Sequence, residues 1–352
     1  MRRNNILKIL SSITIGAGIV FLLNAYARSQ IYHNGSFIRL FPPHVINNFK
    51  SLDIGFDSYY FAGTTENDIY LGNYTAPAKM LIISKDLAAK RLIDLSIPDS
   101  IKLNWARAKV LLNDQKLYIG EGNSPLMLYK VIPAGQLSVV SMDSLHFDHD
   151  WVPLSEHSYI VRKYDSARKQ NILVKKLTGH TVMIVSNGVL EKQLDGKFCT
   201  DGMLLFDNYN SRLLYMYYYR NQFIVLDTNL HILAKYKTID TTNKVSITLD
   251  TIYSENRVTF SSPPGIVNKR ATLSNKLLFI NSALKASNED EQLNNQDNDI
   301  DIYRLDNGNY AFSFTLPAFR KQKLSSMIVS GNMLFGIYDS YLISFELNLQ
   351  KL

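Results

Sequence analysis

Asn113-Asp114-Gln115-Lys116-Leu117-Tyr118-Ile119-Gly120 is a polar turn running straight into an apolar strand, and Leu126-Met127-Leu128-Tyr129 follows after a second turn. Asn, Asp and Gly suit the bent backbone of tight turns, whereas Leu, Ile and Tyr suit a buried pleated surface. The same text recurs. Glu66-Asn67-Asp68-Ile69-Tyr70-Leu71-Gly72-Asn73 leads into Met80-Leu81-Ile82-Ile83, and Ser158-Tyr159-Ile160-Val161 into Asn171-Ile172-Leu173-Val174. Asn210-Ser211-Arg212-Leu213-Leu214-Tyr215-Met216 leads into Phe223-Ile224-Val225-Leu226. Ser274-Asn275-Lys276-Leu277-Leu278-Phe279-Ile280 leads across a polar insertion into Ile300-Asp301-Ile302-Tyr303. The last copy, Ser330-Gly331-Asn332-Met333-Leu334-Phe335-Gly336, leads into Tyr341-Leu342-Ile343-Ser344-Phe345.

Anchored on Ile69, Leu117, Tyr159, Leu214, Leu278 and Leu334, the copies are spaced by 48, 42, 55, 64 and 56 residues, a mean of 53. Four-stranded propeller blades repeat at roughly 40–50 residues, and solenoid repeats are much shorter. The chain therefore reads as all-β, a propeller of six or seven four-stranded blades, with serial sandwiches or another barrel as the alternative. A seventh blade has room in 238–270, where Val245-Ser246-Ile247-Thr248-Leu249 and Arg257-Val258-Thr259-Phe260 have strand composition. The last copy ends one strand short. Ser36-Phe37-Ile38-Arg39-Leu40-Phe41 is the expected N-terminal strand that completes it and removes an open edge. The acidic, Asn-rich stretch from Asn288 to Asp301 reads as a solvated loop, and no interdomain linker is evident, so residues 28–352 are expected to form a single propeller domain.

The first residues are basic (Arg2, Arg3, Lys8), an apolar run extends from Ile9 to Leu23, and Ala25-Tyr26-Ala27 follows. That order is the n-region, h-region and cleavage site of a signal peptide. The run of about 15 residues is short of the roughly 20 needed to span a bilayer. Residues 1–27 are read as a signal peptide cleaved after Ala27, or else as an uncleaved N-terminal membrane anchor, and the protein as exported, periplasmic or anchored facing the periplasm. The composition of 46% hydrophobic and 20% charged residues excludes a disordered chain. Without the three leader cations, 35 Lys and Arg face 31 acids, a balance of +4. The cations are scattered, which argues against a nucleic-acid partner. The single cysteine, Cys199, is expected to be core filler on a strand.

Two groups of candidate site residues stand out. His146-Phe147-Asp148-His149-Asp150, followed by His157, is the densest set of imidazoles and carboxylates, suited to zinc or a similar divalent ion. Its spacing matches no established metal motif, and a polar blade edge is the ordinary reading; no other cofactor is expected. Arg39, His44, Tyr60, Asn73 and Tyr74 belong to the most distinctive part of the text and are candidates for lining one mouth of the propeller, where they would meet a protein partner or small-molecule ligand. Turn geometry is the plainer use of that text. Tyr215, Tyr217 and Tyr219 share a strand face, fit for stacking a ligand or for packing blade on blade. Asp297-Asn298-Asp299-Ile300-Asp301 imitates the start of a calcium loop, but Ile302 stands where glycine is required and Gly308 where glutamate is required.

No G-x-S-x-G, H-E-x-x-H, P-loop, G-x-G-x-x-G or C-x-x-C-H motif occurs. The stretches Arg39–His44 and Tyr59–Asn73, together with Leu334-Phe335-Gly336-Ile337-Tyr338, resemble a family of uncharacterised exported proteins from Bacteroidetes. The resemblance covers most of the chain and implies a single-domain propeller, with no activity to carry over. In fold the chain is also similar to the heavy subunit of methylamine dehydrogenase, a periplasmic propeller that organises a partner. The expectation is an exported, non-enzymatic scaffold that binds a protein or ligand at one face. The alternative is an enzyme or redox-enzyme subunit using the central channel.

Overall fold

Alternation along the second strand of each repeat decides how the molecule is built. In Asp68–Asn73, Ile69 and Leu71 face one way and Tyr70 the other, and all three are buried. A strand apolar on both faces must be covered on both faces. In the computed structural model, which describes residues 2–31, 37–98, 101, 108–123, 126–132, 137–142, 146–147, 150–177, 183–186, 188–255, 257–289 and 298–349, six such strands sit at the centre of six blades.

A helix α1 (Arg2–Ile31) precedes the blades, and a strand β1 (Ile46–Asp53) stands apart from the first of them. The first blade is β2 (Tyr59–Thr64), β3 (Asp68–Asn73), β4 (Lys79–Ser84) and β5 (Lys90–Asp94). The second is β6 (Lys109–Asn113), β7 (Lys116–Glu121), β8 (Leu126–Val131) and β9 (Leu137–Met142). The third is β10 (Trp151–Ser155), β11 (Ser158–Asp165), β12 (Gln170–Leu177) and β13 (Met183–Val185), and the fourth β14 (Gly202–Asp207), β15 (Arg212–Tyr217), β16 (Gln222–Asp227) and β17 (Ile232–Lys237). After a hairpin of β18 (Leu249–Ile252) and β19 (Arg257–Phe260), the fifth blade is β20 (Asn268–Ser274), β21 (Leu277–Ser282), β22 (Asn298–Arg304) and β23 (Tyr310–Leu316). The sixth holds β24 (Ser326–Ser330), β25 (Met333–Tyr338) and β26 (Tyr341–Leu347), and β1 pairs antiparallel with β26 as its outer strand. Every blade is an antiparallel meander of four strands, and the first strands β2, β6, β10, β14, β20 and β24 contact one another in that order around a closed ring. The fold is a six-bladed β-propeller.

The repeat read from the sequence coincides with the second and third strands of each blade. Four details of the reading change. The closing strand is Ile46–Asp53, not Ser36–Phe41: Phe37–Phe41 instead run along the fifth blade, where the Phe37 carbonyl accepts from Ser287 N–H at 2.9 Å and the Leu40 carbonyl from Ser313 N–H at 2.8 Å. The space held open for a seventh blade is filled by the two-stranded hairpin β18–β19, which packs Phe260 beside Tyr219 and Cys199. Nor is the whole of Asn288–Asp301 a solvated loop, because Asn298–Asp301 begin β22 and are buried. Around Cys199 the backbone is turn rather than strand, and the thiol is buried.

Six apolar clusters occupy the six blade-to-blade interfaces, and each second strand feeds two of them. Ile69 and Leu71 pack with Phe335 and Ile337 of the sixth blade, while Tyr70 packs with Leu117 and Ile119 of the second. Leu278 and Ile280 join Leu214 and Met216 of the fourth blade, whereas Phe279 joins Leu334 and Phe345 of the sixth. Outer strands are mostly exposed, as in β5 and β17. On α1, Ile13, Ile15, Val20, Phe21, Leu22 and Leu23 are all exposed. Among the described residues no helix is long and apolar enough to cross a membrane.

Because β1 supplies the outer strand of the last blade, a chain starting at Ile54 is expected to melt at least several degrees below one starting at Arg28 and to aggregate through the bared edge of β26. Differential scanning calorimetry of the two chains checks this; equal melting temperatures would contradict the closure.

Candidate functional site

The six first strands run the same way around the axis and enclose a channel. One end, the entry face, is where the chain comes into these strands; the other, the turn face, is where they hand over to the second strands. Phe61, Leu111, Leu205, Leu273 and Ile328, one from each of five blades, are half-buried and line the channel, alternating with fully buried neighbours such as Ala62, Val110, Leu204 and Val329. The cavity is about 510 Å³, within the range of roughly 300–1,000 Å³ usual for small-molecule sites. At the turn face it is rimmed by Asn113, Asp114, Asp207, Asn208, Ser274 and Lys276.

The entry face carries the charge. Arg162, on β11, places Nε 2.9 Å and Nη2 2.5 Å from Asp150 Oδ2, and Nη1 2.9 Å from Asp201 Oδ1. Asp150 immediately precedes β10 and Asp201 immediately precedes β14, so two consecutive entry loops are clamped by one guanidinium. Burial works against the charge of Arg162, but Tyr215, Asp150 and Asp201 outweigh it and raise its pKa. The field of Asp150 reaches the other blades. It adds to burial in raising the pKa of Tyr74, on the first blade, and of Tyr218, on the fourth. Lys109, which begins β6 and lines the channel, has its pKa lowered by burial, and Asp150 only partly restores it. Arg270, on β20, is likewise lowered by burial and donates to the Ser325 carbonyl at 2.6 Å and Asn281 Oδ1 at 3.1 Å.

Of the residues singled out in the sequence, Tyr60, Asn73 and Tyr74 stand together at the entry face of the first blade. The Tyr60 and Tyr74 rings lie 4.5 Å apart, the Tyr60 hydroxyl accepts from Val110 N–H at 2.8 Å, and Asn73 Oδ1 accepts from the N–H groups of Thr75 and Ala76. Gly72 makes this possible, since a Cβ there would fall 2.3 Å from the Tyr60 ring. Arg39 is elsewhere. It is fully buried against the fifth blade, with Nε 2.7 Å from Asp301 Oδ1, an ion pair to Glu289 and Asp299 Oδ2 at 4.0 Å, and Lys285 closes the cluster. Asp299 and Asp301, two of the carboxylates that imitate a calcium loop, are therefore counter-ions of Arg39 and Lys285, and Asp297 lies outside the described residues. His44 is exposed in the turn before β1, with a left-handed φ of 58°. Tyr215 and Tyr217 are buried edge to face, 5.2 Å apart, between the third and fourth blades.

The histidine group is spread along β10. His146 is exposed on the way into that strand, and His157 is exposed in the turn that leaves it, beside Glu156 in a second cavity of about 380 Å³. Five strand residues put about 17 Å between those ends. Asp148 and His149 lie outside the described residues. Among the described residues no group of three or more potential metal ligands occurs. Lys109, Arg162, Asp201 and Arg270 escaped the sequence reading because each stands alone in the text, and only the ring brings them to one end of the channel.

No protein-family model matches the chain, and no curated protein matches it. Among solved structures it is similar to a member of the DUF4221 family from Bacteroides vulgatus, at 11% identity and a TM-score of 0.50, over 90% of this chain and 99% of that one. It is also similar to virginiamycin B lyase from Staphylococcus aureus, at 8% identity and a TM-score of 0.48, over 86% and 99% of the two chains. A third is BamB from Moraxella catarrhalis, at 11% identity and a TM-score of 0.36, over 81% and 80%. At these identities the likeness is one of fold.

Two stability measurements follow. Lys109→Met is expected to stabilise the protein at pH 7, because it removes a charge whose folded-state pKa lies below the ordinary 10.5. A lowered lysine pKa means that the unfolded chain binds the proton more readily, so stability of the parent rises as pH climbs from the folded value towards 10.5. The advantage of the variant should therefore shrink in urea titrations repeated at alkaline pH; a constant or growing gap would count against it. Arg39→Met strands buried carboxylates without their partner and is expected to cost about 3–5 kcal/mol in the same assay, a loss that removing the exposed Lys79 from its pair with Asp94 should not approach.

Proposed function

We propose that this protein is an exported propeller that binds a small molecule in its central channel, with a non-enzymatic, scaffolding role. The observation that carries the reading is the channel itself: a cavity of about 510 Å³ with apolar side chains from five blades, Lys109 at its entry end and a polar rim at its turn end. Apolar walls supply affinity through burial, and a few fixed polar groups supply orientation. At the entry face the charged groups converge from separate blades, which suits recognition of one end of a ligand. A protein partner meeting the same face is compatible with this arrangement.

Export is supported by the N-terminal segment. A basic start, an exposed apolar run and small residues around position 27 form one continuous helix that contributes no strand to any blade. A leader removed after Ala27 fits a run shorter than a bilayer, and retention as an anchor is the other outcome.

Native mass spectrometry of the protein recovered from the exporting host tests both parts. The expected result is a polypeptide mass that starts at Arg28, carrying a non-covalent adduct that disappears in Leu205→Trp, a variant that fills the channel. An unprocessed chain would leave the anchor. An adduct equally retained by Leu205→Trp and by Leu273→Trp would place binding outside the channel.

A further inference from the structure

The two ends of the channel differ in charge, and the difference specifies a ligand. At the turn face Asp114 and Asp207 stand with Lys276 among neutral Asn113, Asn208 and Ser274. At the entry face Asp150 and Asp201 are already engaged, since Arg162 takes Asp150 through two nitrogens and Asp201 through the third. Among the described residues no carboxylate oxygen lies within 4.0 Å of Lys109 Nζ or of the Arg270 guanidinium. Beside Arg270, burial and the fields of Arg270, Lys323 and Lys285 lower the pKa of Lys269, and Asp299 only partly restores it.

A lysine at the end of an apolar channel, with three donors and no acidic partner in contact among the described residues, is matched by an anionic head attached to an apolar body. We propose that the channel binds an apolar carboxylic acid. Its carboxylate sits against Lys109 at the entry end of the cavity. Its hydrocarbon body lies between Phe61, Leu111, Leu205, Leu273 and Ile328. This rests on the channel-binding reading above and adds the ligand class to it. The opposite orientation, with a cationic head at Asp114 and Asp207, is the competing outcome.

Isothermal titration of the full-length purified protein with decanoate, decanol and decylammonium tests the assignment. Decanoate is expected to bind about tenfold or more tightly than decanol, the ratio that one charge-assisted hydrogen bond supplies. Lys109→Met should remove that preference by weakening decanoate far more than decanol, and Leu205→Trp should weaken both; Leu273→Trp serves in its place if Leu205→Trp is misfolded by circular dichroism. Equal binding of decanoate and decanol, unaltered by Lys109→Met, would overturn the carboxylate assignment and leave channel binding standing. Tighter binding of decylammonium would reverse the orientation. Failure of all three to bind would remove the channel reading together with this one.

Discussion

The pairing of β1 with β26 is the constraint on which the rest of the molecule depends. Ile46 lies opposite Leu347 and Asp53 opposite Tyr341, so residues about 300 positions apart become neighbours in one sheet. The described residues hold no disulfide to do this work, and Cys199 is a free thiol. Each apolar cluster joins only two successive blades, so five of the six interfaces form between stretches adjacent in sequence. The sixth, where Phe335, Ile337 and Leu342 meet Ile69, Leu71 and Leu81, exists only when the last blade reaches the first. Without it there is a curved row of blades; with it there is a ring, and a channel.

A second fastening lies beside the first. Before entering β1 the chain passes along the fifth blade, and Arg39 is driven into a buried pocket of carboxylates that only an arginine's several donors can satisfy together. Burial opposes the charge, but Asp301 and Glu289 more than compensate, so Arg39 remains a cation. The side chain has a structural duty, and the carboxylates it neutralises would otherwise be costly inside the fifth blade.

The repeat was legible because the second and third strands of a blade are covered on both faces, which forces apolar residues at consecutive positions, as in Leu117-Tyr118-Ile119 and Leu334-Phe335. First and outer strands carry weaker signals. Ile46–Asp53 has exposed Asn47, Asn48, Lys50 and Ser51, and its place in the sheet comes from backbone pairing, so the more apolar Phe37–Phe41 attracted the reading instead. The hairpin β18–β19 resembled half a blade because it is one strand pair covering buried side chains. Most charged residues of the entry face were illegible for a different reason: Lys109, Arg162, Asp201 and Arg270 are scattered over 162 positions of sequence and converge only by rotation around the axis, and Asp150 was marked only as part of the histidine group. Tyr60 and Tyr74 were singled out because turn chemistry and aromatic density marked them locally.

Ring closure, apolar walls and an entry face with cations in excess of free carboxylates together define what the channel can hold. A crystal structure of the full chain soaked with 10-bromodecanoic acid, read by the anomalous signal of bromine, tests that account most directly. It predicts the bromine inside the channel towards the turn face, with the carboxylate at Lys109. Bromine confined to the outer surface of the blades, with none along the axis, would contradict it.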